Sequence, residues 1–172
     1  HRDLHSFPTR RSSDLLSFTY KEVDLSSSDW SKTLERKVFD GALSLAVLHH
    51  VPSAEKRKQV VSQVAGLLKA GGVFILSCWQ FQHSLRLLAR VQPWEIAGIG
   101  ADEVEEGDTL LDWRHQNDGE AKTPGLRYVH LFSRVELAEL AEGSGFEIIE
   151  EFESDGKEGK LGLYQVWRLH SS

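Results

Sequence analysis

The chain of 172 residues contains no methionine and a single cysteine, Cys78. One thiol excludes an internal disulfide framework and any metal site built from cysteines alone, which makes the cytosol the default compartment. No apolar run approaches the roughly 18–20 residues that a membrane-crossing helix requires. No basic, apolar and small-residue pattern at the start marks a secretory signal. With no methionine and a first residue His1, the natural N-terminus is expected to lie upstream.

A basic excess is missing too. The opening HRDLHSFPTRRSSDL, residues 1–15, has neither helical nor strand periodicity. It resembles sequencing-adapter read-through and is expected to be an artefact, the alternative being a natural basic arm. Without its three arginines and two aspartates the chain keeps 17 basic and 24 acidic residues, a net charge of −7. Strong nucleic-acid binders show a basic face. The densest basic cluster here is Lys56-Arg57-Lys58, which a solvated helix face explains equally well. What is present is ordinary for a globular domain, with 40% hydrophobic and 27% charged residues.

The pattern along the chain predicts an α/β protein. LSFTYKEV (16–23) is rich in strand formers and ends at Asp24. FDGALSLAVL (39–48) reads as a buried parallel strand stopping at His49-His50-Val51-Pro52. Ser53 is placed to cap a helix through Lys69, with Val60, Val64, Leu67 and Leu68 on one face and Gly71-Gly72 as its stop. Val73–Cys78 reads as a second buried strand, completing a right-handed crossover. Residues 81–91 read as helical. Residues 92–126 show no period and read as an irregular insert, its acidic run 102–108 a solvated loop. Ser133 and Glu136 form a capping box for the next helix. Phe146–Glu153 and Leu161–Leu169 form a terminal hairpin. An antiparallel hairpin finishing a parallel sheet argues against a nicotinamide-binding domain.

FDGALSLAVLHHV followed by LLKAGGVFILSCW resembles the fourth and fifth strands of the class I S-adenosylmethionine (SAM) methyltransferases. GDTLLDWRHQ (107–116) and RYVHLFSRVELAEL (127–140) are similar to segments of the tRNA wobble-uridine carboxymethyl methyltransferases. The chain departs from that family at Leu111-Asp112, where a Val-Pro type pair is usual, and at Val129, where a second aromatic is usual. The resemblance implies a Rossmann-like class I methyltransferase sheet, C-terminal part only, with an antiparallel C-terminal hairpin. Residues 16–172 would be a partial domain. None of the 14 glycines has the strand–GxG–helix context that lets backbone approach a cofactor; Gly98–Gly100 and Gly143–Gly145 read as turns. With the first two strands absent, residues 16–24 are expected to be detached, poorly ordered or wrongly paired against Phe39–Ala46.

The resemblance also implies the site. Asp24 and Leu25 would lie against the adenine of SAM, and Ser44 and Ala46 would leave room where methyl and acceptor meet. The other readings are a turn-capping Asp24 and ordinary strand packing at Ser44. His49 and His50 are the candidate catalytic pair; neighbours on extended backbone diverge, so one should face the cleft and the other the packing. No spaced ligand set suggests a metal. Trp113, Arg114, Arg127, Tyr128 and His130 flank the insert. A carboxylate acceptor wants a bidentate arginine, and a flat base wants an aromatic to stack on. Arg127 and Trp113 suit those roles; otherwise Arg127 pairs with the acidic insert and Trp113 packs it down. The expected function is a cytoplasmic SAM-dependent methyltransferase acting on a tRNA carboxymethyl group, with tRNA and a small zinc-binding activator subunit as partners by family resemblance. Alternatives are a small-molecule methyltransferase and a non-catalytic fragment or binding module.

Overall fold

The computed structural model describes residues 19–34, 38–113 and 125–171, without the side chain of Trp113. The segment 1–15, the start of the expected strand 16–23, and Arg114 lie outside the described residues.

The strands of the described residues form two sheets. The main sheet has the order β1-β2-β7-β6, from β1 (Phe39–Leu45), β2 (Leu68–Trp79), β7 (Gly162–Leu169) and β6 (Phe146–Ser154). β1 and β2 run parallel, with Ala42 opposite Phe74 and Leu45 opposite Ser77. β7 runs antiparallel to both β2 and β6, which is the expected hairpin. The second sheet, β3-β4-β5, is antiparallel and comprises β3 (Val91–Gln92), β4 (Asp108–Trp113) and β5 (Gly125–His130). Within the stretch 92–126, expected to be irregular, Asp108–Trp113 and the start of β5 are strand, Trp94–Ala97 and Ala101–Glu103 are 3₁₀ turns, and 114–124 lie outside the described residues. Its strands are defined by pairing over long sequence separations, which a search for local periodicity does not see. RYVHLF accordingly joins this second sheet rather than the main one.

Helices α1 (Ala54–Leu67) and α3 (Arg134–Gly143) bury Val60, Val61, Val64, Leu137 and Ala141 in one core with the strand residues. Along β2 the side chains of Phe74, Leu76 and Cys78 are buried, whereas Val73 and Ile75 are half-buried. Phe74, Phe146 and Trp167 meet ring against ring, with centroids 5.6–5.9 Å apart. Offset and edge-on aromatic pairs of this kind add about 0.5–1.5 kcal/mol beyond burial.

Other expectations need correction. Residues 19–24 form no strand; they lead into a turn and a 3₁₀ helix, Trp30–Leu34, anchored by buried Trp30. Residues 19–24 belong to neither sheet, and Val23 packs against the core from outside them. β1 is an edge strand, with Leu43 70% and Leu45 53% exposed rather than buried. α1 stops at Leu67, and Gly71-Gly72 belongs to β2, where the β1–β2 register shifts. A Cβ on Gly72 would stand 2.8 Å from the Lys69 carbonyl, so glycine is needed for close approach rather than for a helix stop. The expected helix 81–91 shrinks to a 3₁₀ turn, Phe81–His83, and one α turn, α2 (Leu85–Leu88). Leu85 is almost wholly exposed, so no buried stripe supports a longer helix.

Candidate functional site at the carboxyl ends of β1 and β2

Parallel strands direct their carboxyl ends to one edge of a sheet, and ligands of open α/β sheets bind there. β1 leaves this edge through Ala46, whose φ of +55° is a conformation that costs a residue with a Cβ roughly 1 kcal/mol or more. Its N–H donates to both the carbonyl and the hydroxyl of Ser77 on β2. A short 3₁₀ helix, Leu48–His50, follows and delivers the two histidines.

The pair divides as neighbours should. His49 is wholly buried and stacks on Trp79, the last residue of β2, with centroids 5.1 Å apart. The Trp79 N–H donates to His49 Nδ1 at 3.3 Å, which places the ring proton on Nε2. That nitrogen is buried with no hydrogen-bond partner among the described residues. Burial, then the nearby His50 and Arg127, hold the His49 pKa down to about 3. His50 is half-buried and meets the Trp79 ring edge-on at 5.6 Å. Its Nδ1 lies 2.9 Å from the Tyr128 carbonyl. A carbonyl only accepts, so His50 Nδ1 carries the proton. Burial lowers the His50 pKa and Arg127 adds to this, with the Tyr128 carbonyl opposing.

β5 brings Arg127 to the same place. Its guanidinium carbon lies 6.0 Å from the Trp79 ring centroid, and its charge is felt by both histidines. The structure thus gathers Trp79, His49, His50 and Arg127 at the strand ends. Trp79 escaped the sequence reading, although its place directly after the Val73–Cys78 strand was a usable signal. Trp113 pairs through its backbone with Gly125 at the far end of β4.

Tyr128 and His130, expected to bind substrate, are committed to a buried polar network instead. Asp108 Oδ1 accepts from the Tyr128 hydroxyl and from His130 Nδ1, and His130 Nε2 donates to Glu136 at 2.8 Å. Both ring nitrogens face carboxylates, so only the doubly protonated imidazolium satisfies both. Burial alone would lower the His130 pKa, but Glu136 and Asp108 raise it. Burial would raise the Asp108 pKa, yet Tyr128, the Glu105 backbone and His130 bring it below the usual carboxylate range. The Tyr128 phenol is pushed up, by burial first and then by Asp108.

Arg57 completes the network. Only 2% exposed, it donates to the Val51 carbonyl, the Tyr128 hydroxyl, Glu105 and Glu136, and lies over the Phe132 ring. The solvated helix face expected for Lys56-Arg57-Lys58 does not hold at its middle residue. Arg57 precedes buried Val60, Val61 and Val64 at helical spacing, a signal available in the sequence. Glu136 is drawn away from a reciprocal capping box; only its N–H bonds to Ser133. Glu105, Asp108 and His130 have ligand-type atoms within 4.8 Å of one another. Those atoms already serve the network, and Arg57 and protonated His130 beside them disfavour a cation.

The four expected cofactor residues do not converge. Leu25 and Ser44 line one apolar cavity of about 400 Å³ between the Trp30–Leu34 turn, β1 and α1, and neither Asp24 nor Ala46 lines it. The Asp24 carboxylate instead accepts from the Ser26 N–H in an exposed turn.

A parallel pair continued by an antiparallel hairpin in the order β1-β2-β7-β6, with a short sheet inserted over the strand ends, is the C-terminal part of the class I SAM-dependent methyltransferase fold. Solved SAM-dependent methyltransferases share this fold with the chain. Residues 9–76 match the methyltransferase domain family. The chain is 31% identical over 116 residues to the tRNA (carboxymethyluridine(34)-5-O)-methyltransferase of Schizosaccharomyces pombe, covering 65% of this chain and 51% of that protein. It spans about half the length of the curated relatives it matches. Among solved structures, a SAM-dependent methyltransferase from Clostridium acetobutylicum superposes with a TM-score of 0.60 at 12% identity, covering 86% of this chain and 63% of that one. One from Methanosarcina mazei gives 0.52 at 24% identity, covering 78% and 60%.

Proposed function

We propose that this chain supplies the acceptor side of a SAM-dependent methyltransferase that esterifies the carboxylate of a carboxymethyl group on a tRNA uridine. The observation that supports the reading is Arg127, presented with Trp79 and His50 at the carboxyl ends of the parallel strands. An arginine can hold a carboxylate with two parallel hydrogen bonds. A carboxylate is already nucleophilic near neutral pH, so positioning matters more than proton removal. SAM, when bound, supplies the electrophilic methyl group. Among the described residues no glycine-bearing strand–helix turn approaches the strand ends, so they do not fit a whole cofactor cradle. The chain's own residues hold and orient the acceptor: Arg127 neutralises it, and Trp79 and His49 form the floor beneath it.

The net acidity of the chain favours a second reading, a small organic acid as acceptor. Methyl transfer by the full-length protein carrying this sequence separates the two. Transfer to tRNA bearing 5-carboxymethyluridine is the expected result, with and without a small zinc-binding activator subunit. Transfer to small acids but not to this tRNA would replace the first reading by the second.

A further inference from the structure

The two histidines have opposite hydrogen-bonding polarity, set by the backbone rather than by each other. His49 receives the Trp79 N–H, and His50 gives its Nδ1 proton to the Tyr128 carbonyl. That carbonyl is well fixed, because the Tyr128 hydroxyl is held by Asp108 and Arg57. His50 Nε2 therefore offers a bare lone pair. Arg127 stands nearby and disfavours a second proton there.

A bare lone pair repels the lone pairs of a carboxylate and needs a donor. Arg127 is the group that suits the carboxylate. Resting on the carboxymethyl-uridine reading, we propose that His50 is a specificity-determining residue whose Nε2 accepts the imide N–H of a uracil-type base. Once its N1 carries ribose, uracil has one ring donor, N3–H, flanked by two carbonyls. Cytosine has a lone pair at N3 and would meet His50 acceptor to acceptor. His50 and Arg127 flank the same Trp79 ring, at 5.6 and 6.0 Å from its centroid, so one nucleobase edge and its substituent can engage both. A site built to bond an N–H rejects the analogue lacking it, since the buried partner is then unpaired.

The test uses the 172-residue chain and three nucleosides: 5-carboxymethyluridine, its N3-methyl derivative and 5-carboxymethylcytidine. Long-range ¹H–¹⁵N spectra report the His50 tautomer, and titrations report affinity. The free chain should show the proton on Nδ1, and 5-carboxymethyluridine should move the Nε2 resonance. The other two nucleosides should bind at least tenfold more weakly, and His50→Phe should erase that difference. A merely structural histidine would leave the discrimination untouched. If His50→Phe disturbs the fold, the N3-methyl comparison on the unaltered chain decides. Equal affinity for all three, or a proton on Nε2, overturns the role of His50 while the carboxymethyl reading stands. Binding of none of the three removes the carboxymethyl reading and this inference with it.

Discussion

The guanidinium of Arg57 bonds to residues on four separate segments, and its cost when removed should be correspondingly large. Breaking a fully buried ion pair destabilises by about 3–5 kcal/mol. Glu105 and Glu136 are 41% and 33% exposed and can be solvated, so the cost here lies below that range and comes from the lost bonds and packing of the buried guanidinium. Arg57→Met should therefore lower the urea midpoint sharply, whereas neighbouring Lys58→Met, on an exposed side chain, should leave it nearly unchanged. In sequence the two look alike; only the helical spacing to Val60 and Val64 separates them. Arg127 makes the opposite case. Its place beside the insert was legible, but its neighbour Trp79 was not, because the contact joins residues on different sheets. Arg127→Lys in the full-length protein should reduce turnover about ten- to hundredfold, the equivalent of roughly 1.5–3 kcal/mol for a charge-assisted contact. SAM binding and melting temperature should survive. A comparable fall in melting temperature would instead mark Arg127 as a structural anchor.

The inserted sheet is held to α1 and α3 by ionisable groups, so its attachment depends on pH. The His130 pKa is raised in the folded state above its ordinary value of 6.5. Its contribution is fully present below about pH 6.5 and is lost as pH rises through the folded value. His49 works the other way: held down to about 3 when folded, it binds a proton more readily when unfolded. Its effect costs stability as pH falls from 6.5 towards 3. Folding stability should therefore peak near pH 6.5, and His130→Gln should flatten the alkaline limb alone, as read by urea unfolding across the pH range. An unchanged alkaline limb would mean that His130 is not the latch. Elements governed by local pattern were legible: Ser53 and Ser133 begin helices as expected, and 146–169 is a hairpin. The inserted sheet was not. β3 is two residues long, and Gly107 admits close approach, since a Cβ there would stand 3.1 Å from the His130 ring. Neither feature has a period.

At the scale of the molecule, the parallel pair and the terminal hairpin were legible from local pattern, but the insertion of β7 between β2 and β6 was not, because either hairpin strand could have paired with β2. Nor was the cofactor quartet, since adjacency along a family motif does not ensure a shared surface. With Asp24 in an exposed turn and Leu25 facing an apolar cavity, the 172-residue chain should show no micromolar affinity for SAM by calorimetry. Clear micromolar binding would mean that the strand ends suffice for a cradle. β1 carries a further consequence, for behaviour in solution. Its outer edge has no partner among the described residues, and Leu43 and Leu45 stand open to water beside it. A free edge with apolar side chains is a template on which other chains assemble. The chain should accordingly gain apparent mass in light scattering as it is concentrated. Salting-out ions should hasten this, because they favour removal of apolar surface from water. Leu43→Lys places a solvated charge on that edge and should keep the scattering flat, making it the variant of choice for spectroscopy at high concentration.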